Sequence, residues 1–161
     1  MVIKSHGVSD NAESRAIIVA CPNHRFQEAF AAFIHGELDL DFGEFSLISV
    51  TGGASILARP VDRPDDYRVV MSNIEVLLHE NPSIKRIILI NHEDCRGVPL
   101  SEAQSKEALR TAVKNIKKSS LWPAIAMREI KLELYCVGRK TIETAQLQSP
   151  KQESIPTAVT A

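Results

Sequence analysis

Four short apolar runs rich in β-branched residues constrain this chain more than any other feature: Ala16 to Cys21, Phe45 to Val50, Lys85 to Asn91 and Ile130 to Val137. Each is short for a helix and too continuous for a strand with one wet face, so each reads as a strand covered on both sides. Between them the period changes. Phe26 to His35 places Phe26, Ala29, Phe30 and Phe33 at helical spacing, with Gly36 as the stop. Pro64-Asp65-Asp66-Tyr67 opens a second helix with an acidic first turn, and Val69, Val70, Ile74, Val76, Leu77 and Leu78 follow before the Asn81-Pro82 break. A third runs from about Ser101 to Lys118, with Ala103, Leu109, Val113 and Ile116 as its inner face. Strand and helix in alternation imply parallel pairing through crossovers. The expected fold is therefore α/β, a three-layer sandwich with a mostly parallel central sheet of about four strands flanked by helices.

The 161 residues suit one domain, expected over residues 1–143, followed by a polar, aperiodic and flexible tail over 144–161. Nineteen basic against twenty acidic residues leave a formal net charge of -1, which argues against a nucleic-acid partner. No apolar run reaches the roughly 20 residues that span a bilayer, and Met1 to Gly7 lacks the apolar centre of a signal peptide, so no membrane partner and a cytoplasmic location are expected. Three cysteines fit reduced thiols or metal ligands better than a disulfide framework.

Two of those cysteines stand where strands end. Cys21-Pro22-Asn23-His24-Arg25 follows the first run, and His92-Glu93-Asp94-Cys95 follows the third. In an open α/β sheet, ligands bind beyond the carboxyl ends of strands. Cys21, His92 and Cys95 offer two thiolates and one imidazole, the ligand set of a zinc site that keeps its fourth position open. The plainer alternative is a small buried cysteine and a solvated turn histidine. Coincidence of scarce ligand types at two strand ends is what favours metal.

These segments resemble the β-class carbonic anhydrases, which carry Cys-x-Asp-x-Arg after the first strand and His-x-x-Cys-Gly after the third. Ser49-Val-Thr-Gly-Gly-Ala54 is similar to the small-residue loop after that family's second strand, and Tyr135-Cys-Val-Gly138 to its closing pattern, so the resemblance covers roughly residues 15 to 140. It implies zinc held by Cys21, His92 and Cys95, and reversible hydration of carbon dioxide to bicarbonate by a metal-bound hydroxide. It further implies catalytic roles for Asn23 and Arg25, a substrate pocket shaped by Gly52, Gly53 and Ala54, and a homodimer. One departure bears directly on activity: the family's aspartate is Asn23 here, which accepts a hydrogen bond but cannot ionise. The alternatives are a non-catalytic homologue that binds zinc and a small anion, and a hydrolase of a related small substrate such as carbon disulfide. Arg96 reads as a solvated side chain, His24 as a capping or packing residue before a proton shuttle, Cys136 as core, and Trp122-Pro123 as cover for a sheet edge or subunit contact.

Overall fold

The computed structural model describes residues 13–138 and 142–143. Strands β1 (Ala16–Ala20), β2 (Phe45–Ser49), β3 (Arg86–His92), β4 (Lys131–Val137) and β5 (Ile142–Glu143) form one sheet in the order β2-β1-β3-β4-β5. The first four are parallel, as expected, and two-residue β5 adds an antiparallel edge beside β4. The expected boundary after residue 143 and the tail beyond it lie outside the described residues.

Alternation along β1 and the centre of β3 explains why their sequences are apolar without interruption. Ile17, Val19, Ile87 and Leu89 face a core built with α2 (Pro64–Glu80), α3 (Glu102–Lys118) and α4 (Trp122–Met127). Ala16, Ile18, Ile88 and Ile90 face the opposite way, onto Phe26 and onto Phe30, Phe33 and Ile34 of α1 (Gln27–Gly36). With helices on both faces, a buried polar side chain on β1 or β3 is costly unless it finds a partner.

The helices differ from the sequence reading in detail. Gly36 is the last helical residue rather than a left-handed stop; the left-handed residue after α1 is Asp39, with φ 53°. In α2 the inward residues are Val70, Met71, Ile74 and Leu78, while Val69 and Val76 are more than half exposed. In α3, Ser105 and Ala112 are buried beside Leu109 and Ile116, and Ala103 is exposed. Ser101 caps α3 through a reciprocal capping box with Gln104. Half-buried Trp122 begins α4 and packs against the larger core, with the Lys117 ammonium 5.3 Å from its ring centroid.

One arginine ties the end of α2 to the end of α4. Arg128 donates to the carbonyls of Leu78, Asn81, Pro82 and Ile84 at 2.6, 3.0, 2.9 and 3.2 Å, meeting acceptors that a helix end and its following turn leave without partners. Arg128→Ala is expected to lower stability by about 2 kcal/mol, and Arg128→Lys to recover less than half of that, because one ammonium cannot reproduce the guanidinium fork. Urea midpoints at unchanged m-value check both.

The strand order fixes where a site can lie. After β1 the chain adds β2 on one side, and β3 then pairs on the other side of β1, so the direction of winding reverses between β1 and β3. The loops leaving neighbouring strands at such a point diverge and open a crevice. Cys21 follows β1 directly, and His92 ends β3.

Candidate metal centre

Cys21, His92 and Cys95 come together in that crevice. Their ligand atoms all lie within 4.8 Å of one another, and each residue is buried. The two Sγ atoms are 3.8 Å apart. Two thiolates bound tetrahedrally at about 2.3 Å would stand roughly 3.8 Å from one another, so the sulfur pair already has the spacing of a zinc edge.

His92 is oriented for the same purpose. Its Nδ1 lies 2.6 Å from the Glu93 carbonyl and donates to it, which leaves Nε2 with the lone pair. Nε2 is buried and has no hydrogen-bond partner among the described residues. An orphaned imidazole nitrogen beside two thiols is expensive unless something binds it, and a divalent zinc ion fits this donor set. The Phe26 ring, 4.2 Å away between centroids, holds the imidazole from one side. Burial lowers the His92 pKa, the Glu93 carbonyl opposes that shift, and the positive Arg25 adds to it; the outcome is the neutral ring that a metal requires.

The thiol of Cys21 is pushed up by burial and, more weakly, by Cys95, but the backbone N–H groups of Gly52 and Asn23 hydrogen-bond it and favour the thiolate. A bound cation reverses the burial effect, since it replaces the lost hydration of the charged sulfur. Gly52 therefore acts through its peptide, and its φ of 103° is a conformation that other residues rarely take.

Asn23 and Arg25 lace the two ligand segments together. Asn23 Oδ1 accepts from the backbone N–H of Arg25 at 3.1 Å and from its Nε at 3.4 Å, capping the 3-10 turn His24–Phe26. Arg25 Nη2 donates to the carbonyl of Asp94 at 3.1 Å, between the second pair of ligands. Asp94 turns the chain there with φ 52°. An open cleft of about 240 Å³ lies over Cys21 and is lined by Asn23, His24, Arg25, Thr51 and Arg96, with Pro22 and Gly97 completing it.

Gly52, Gly53 and Ala54 sit behind that lining and are buried. Gly53 presses on the sheet itself, where a Cβ would lie 2.9 Å from the Ile90 carbonyl oxygen and 3.2 Å from the Cys21 nitrogen. Thr51, Phe26, Arg96 and Gly97 were not singled out as site residues by sequence. A Cβ on Gly97 would collide with Thr51 and crowd the Gly52 backbone, so the loop after Cys95 is seated directly on the loop after β2. The one available signal was the Gly that follows the second cysteine. Cys136 is buried in the larger core and takes no part in the triad.

The family model that matches this sequence is described as "putative carbonic anhydrase" and aligns with residues 11–128. Two solved structures share the fold. A carbonic anhydrase from Streptococcus mutans aligns over 84% of this chain and 82% of its own, with a TM-score of 0.52 at 18% identity. Tetrameric β-carbonic anhydrases from the filamentous ascomycete Sordaria macrospora align over 80% of this chain and 77% of their own, with a TM-score of 0.50 at 12% identity. Among curated proteins, no sequence matches.

Proposed function

Because the chain belongs to the carbonic anhydrase family, we propose that it is a zinc-dependent carbonic anhydrase-like enzyme that interconverts carbon dioxide and bicarbonate. The observation that carries this reading is the buried Cys21, His92 and Cys95 triad with an unpartnered Nε2. Zinc held by Cys21, His92 and Cys95 would supply the Lewis acidity that lowers the pKa of a water towards about 7. The chain's own residues do the rest. Gly52 and Asn23 stabilise the Cys21 thiolate through their peptides, Glu93 fixes the His92 tautomer, and Arg25 holds the two ligand segments in register while offering its charge to bicarbonate. Asn23 keeps the place and the arginine contact of an aspartate without its charge. Gly52, Gly53 and Ala54 shape the floor behind the cleft.

The neutral Asn23 also supports a second reading, a non-catalytic zinc protein that binds a small anion. Hydrolysis of carbon disulfide is disfavoured, because that substrate calls for a narrow apolar entrance and this cleft is open and lined by Asn23, Arg25 and Arg96. Apolar Phe42 and Leu47, 83% and 54% exposed, support a homodimer, and three free thiols support a cytoplasmic location. No described helix is long and apolar enough to cross a membrane.

Zinc content and stopped-flow carbon dioxide hydration, measured on one preparation with Asn23→Asp beside the parent, test this reading. The expected result is one zinc per chain in both and hydration in both, with Asn23→Asp faster by about tenfold, equivalent to about 1.4 kcal/mol of barrier. Stoichiometric zinc without hydration in either protein would establish the anion-binding alternative. Metal-replete protein that holds no zinc would sink both.

A further inference from the structure

Two guanidinium groups at the cleft bring more positive charge than carbon dioxide or a single bicarbonate calls for. Among the described residues Arg25 donates only to neutral acceptors, Asn23 Oδ1 and the Asp94 carbonyl, and lies over the Phe26 ring, so no carboxylate is paired with it. Arg96 makes no hydrogen bond or ion pair among the described residues, and Gly97, wedged against Thr51 and Gly52, fixes the point from which it projects. No carboxylate among the described residues lines the cleft. Elsewhere the chain treats its arginines differently. Arg15, Arg59, Arg63, Arg68, Arg86 and Arg110 each have a carboxylate partner, and Arg128 is taken up by carbonyls. Of the three described arginines without a carboxylate partner, Arg128 is saturated by carbonyls, and the other two, Arg25 and Arg96, meet at one opening. That opening holds the space of about eight waters at ~30 Å³ each, well beyond the bulk of carbon dioxide.

We propose that this cleft binds a doubly charged oxyanion, gripped by Arg25 and Arg96, and that Arg96 is the residue that sets the preference for two charges over one. The inference rests on the cleft being the working site, as proposed above, and it names the class of ligand. A guanidinium donates two parallel N–H groups to adjacent oxygens, and two guanidinium groups can neutralise a dianion while leaving a monoanion in an over-positive site. Asn23 belongs to the same design. An aspartate there would pair with Arg25 and withdraw one of the two charges.

Calorimetric titration of the full chain, freed of metal by chelator, with sodium sulfate and sodium nitrate at constant ionic strength tests the proposal. Sulfate is expected to bind one-to-one and at least about tenfold more tightly than nitrate. Arg96→Gln, Arg25→Gln and Asn23→Asp should each weaken sulfate by about tenfold or more, while Arg110→Gln, on α3 away from the cleft, should not. Equal affinity for the two anions would overturn the proposal. So would sulfate binding that survives Arg96→Gln, or that falls as much in Arg110→Gln. Zinc content is measured separately on each protein, so loss of the metal reading leaves the anion result standing, and the converse also holds.

Discussion

His92→Phe is expected to end tight zinc uptake while leaving the metal-free protein about as stable as its parent. The two halves of this result come from different atoms of one ring. Nε2 is buried with no partner among the described residues and is a cost to the metal-free fold, whereas Nδ1 makes one hydrogen bond to the Glu93 carbonyl. Phenylalanine removes the orphan, gives up the bond, and fills the place beside Phe26 and Phe30 with a ring of similar outline. These changes oppose one another, so the urea midpoint should move by no more than about 1 kcal/mol in either direction. The metal has no such compensation. With zinc binding to sites of this kind worth about 10 kcal/mol or more, loss of one ligand of three should weaken it by at least about 3 kcal/mol, on the order of a hundredfold to a thousandfold. Zinc should therefore raise the melting temperature of the parent and not of the variant. A histidine kept only for packing would give the same melting shift with zinc in both proteins.

The sheet and the ligand triad were legible in the sequence for related reasons. Residues such as Ile17, Ile18, Ile87 and Ile88 lie under helices on both faces, so burial left an apolar signature that no loop or amphipathic helix would share. Cysteine and histidine carry their chemistry in their identity, and the strand ends supplied their location. What failed to show was set by tertiary contact alone. The 3-10 turn Gly53–Ala58 is buried through Leu57, so its sequence has neither period nor polar punctuation. Val69 and Val76 are as apolar as Val70, and only the position of α2 against the sheet decides which of them turn outward. Ser105 is polar yet buried, because its side chain hydrogen-bonds Cys136 in β4. Phe26 looked like one more helical core residue, and its contact with His92 depends on the 3-10 turn that precedes α1. Arg96 read as a solvated charge because no pattern in a single chain tells which arginine lacks an anion.

Gly53→Ala is expected to be strongly destabilising, and to disturb the cluster of Cys21, His92 and Cys95 with the fold. Gly53 has φ 56°, and holding alanine in that left-handed region is unfavourable by about 1–2 kcal/mol. The contacts then add to this. The new Cβ would lie 2.9 Å from the carbonyl oxygen of Ile90 in β3 and 3.2 Å from the nitrogen of Cys21, which follows β1. Neither atom is the free end of a side chain. Relief requires moving the loop after β2 away from the sheet or spreading the exits of β1 and β3, and those exits carry Cys21 and His92. A total loss of about 3 kcal/mol or more is expected, a large share of the ~5–15 kcal/mol that a domain of this size possesses. Gly36→Ala supplies the contrast. It sits at the last position of α1 with open space where its Cβ would go, and should raise stability by about 0.5 kcal/mol. Urea unfolding of the two variants, followed by zinc titration of each, separates backbone constraint from a general intolerance of added bulk. If Gly53→Ala unfolds at the parent midpoint and keeps the parent zinc affinity, the loop after β2 is not what holds Cys21 in place.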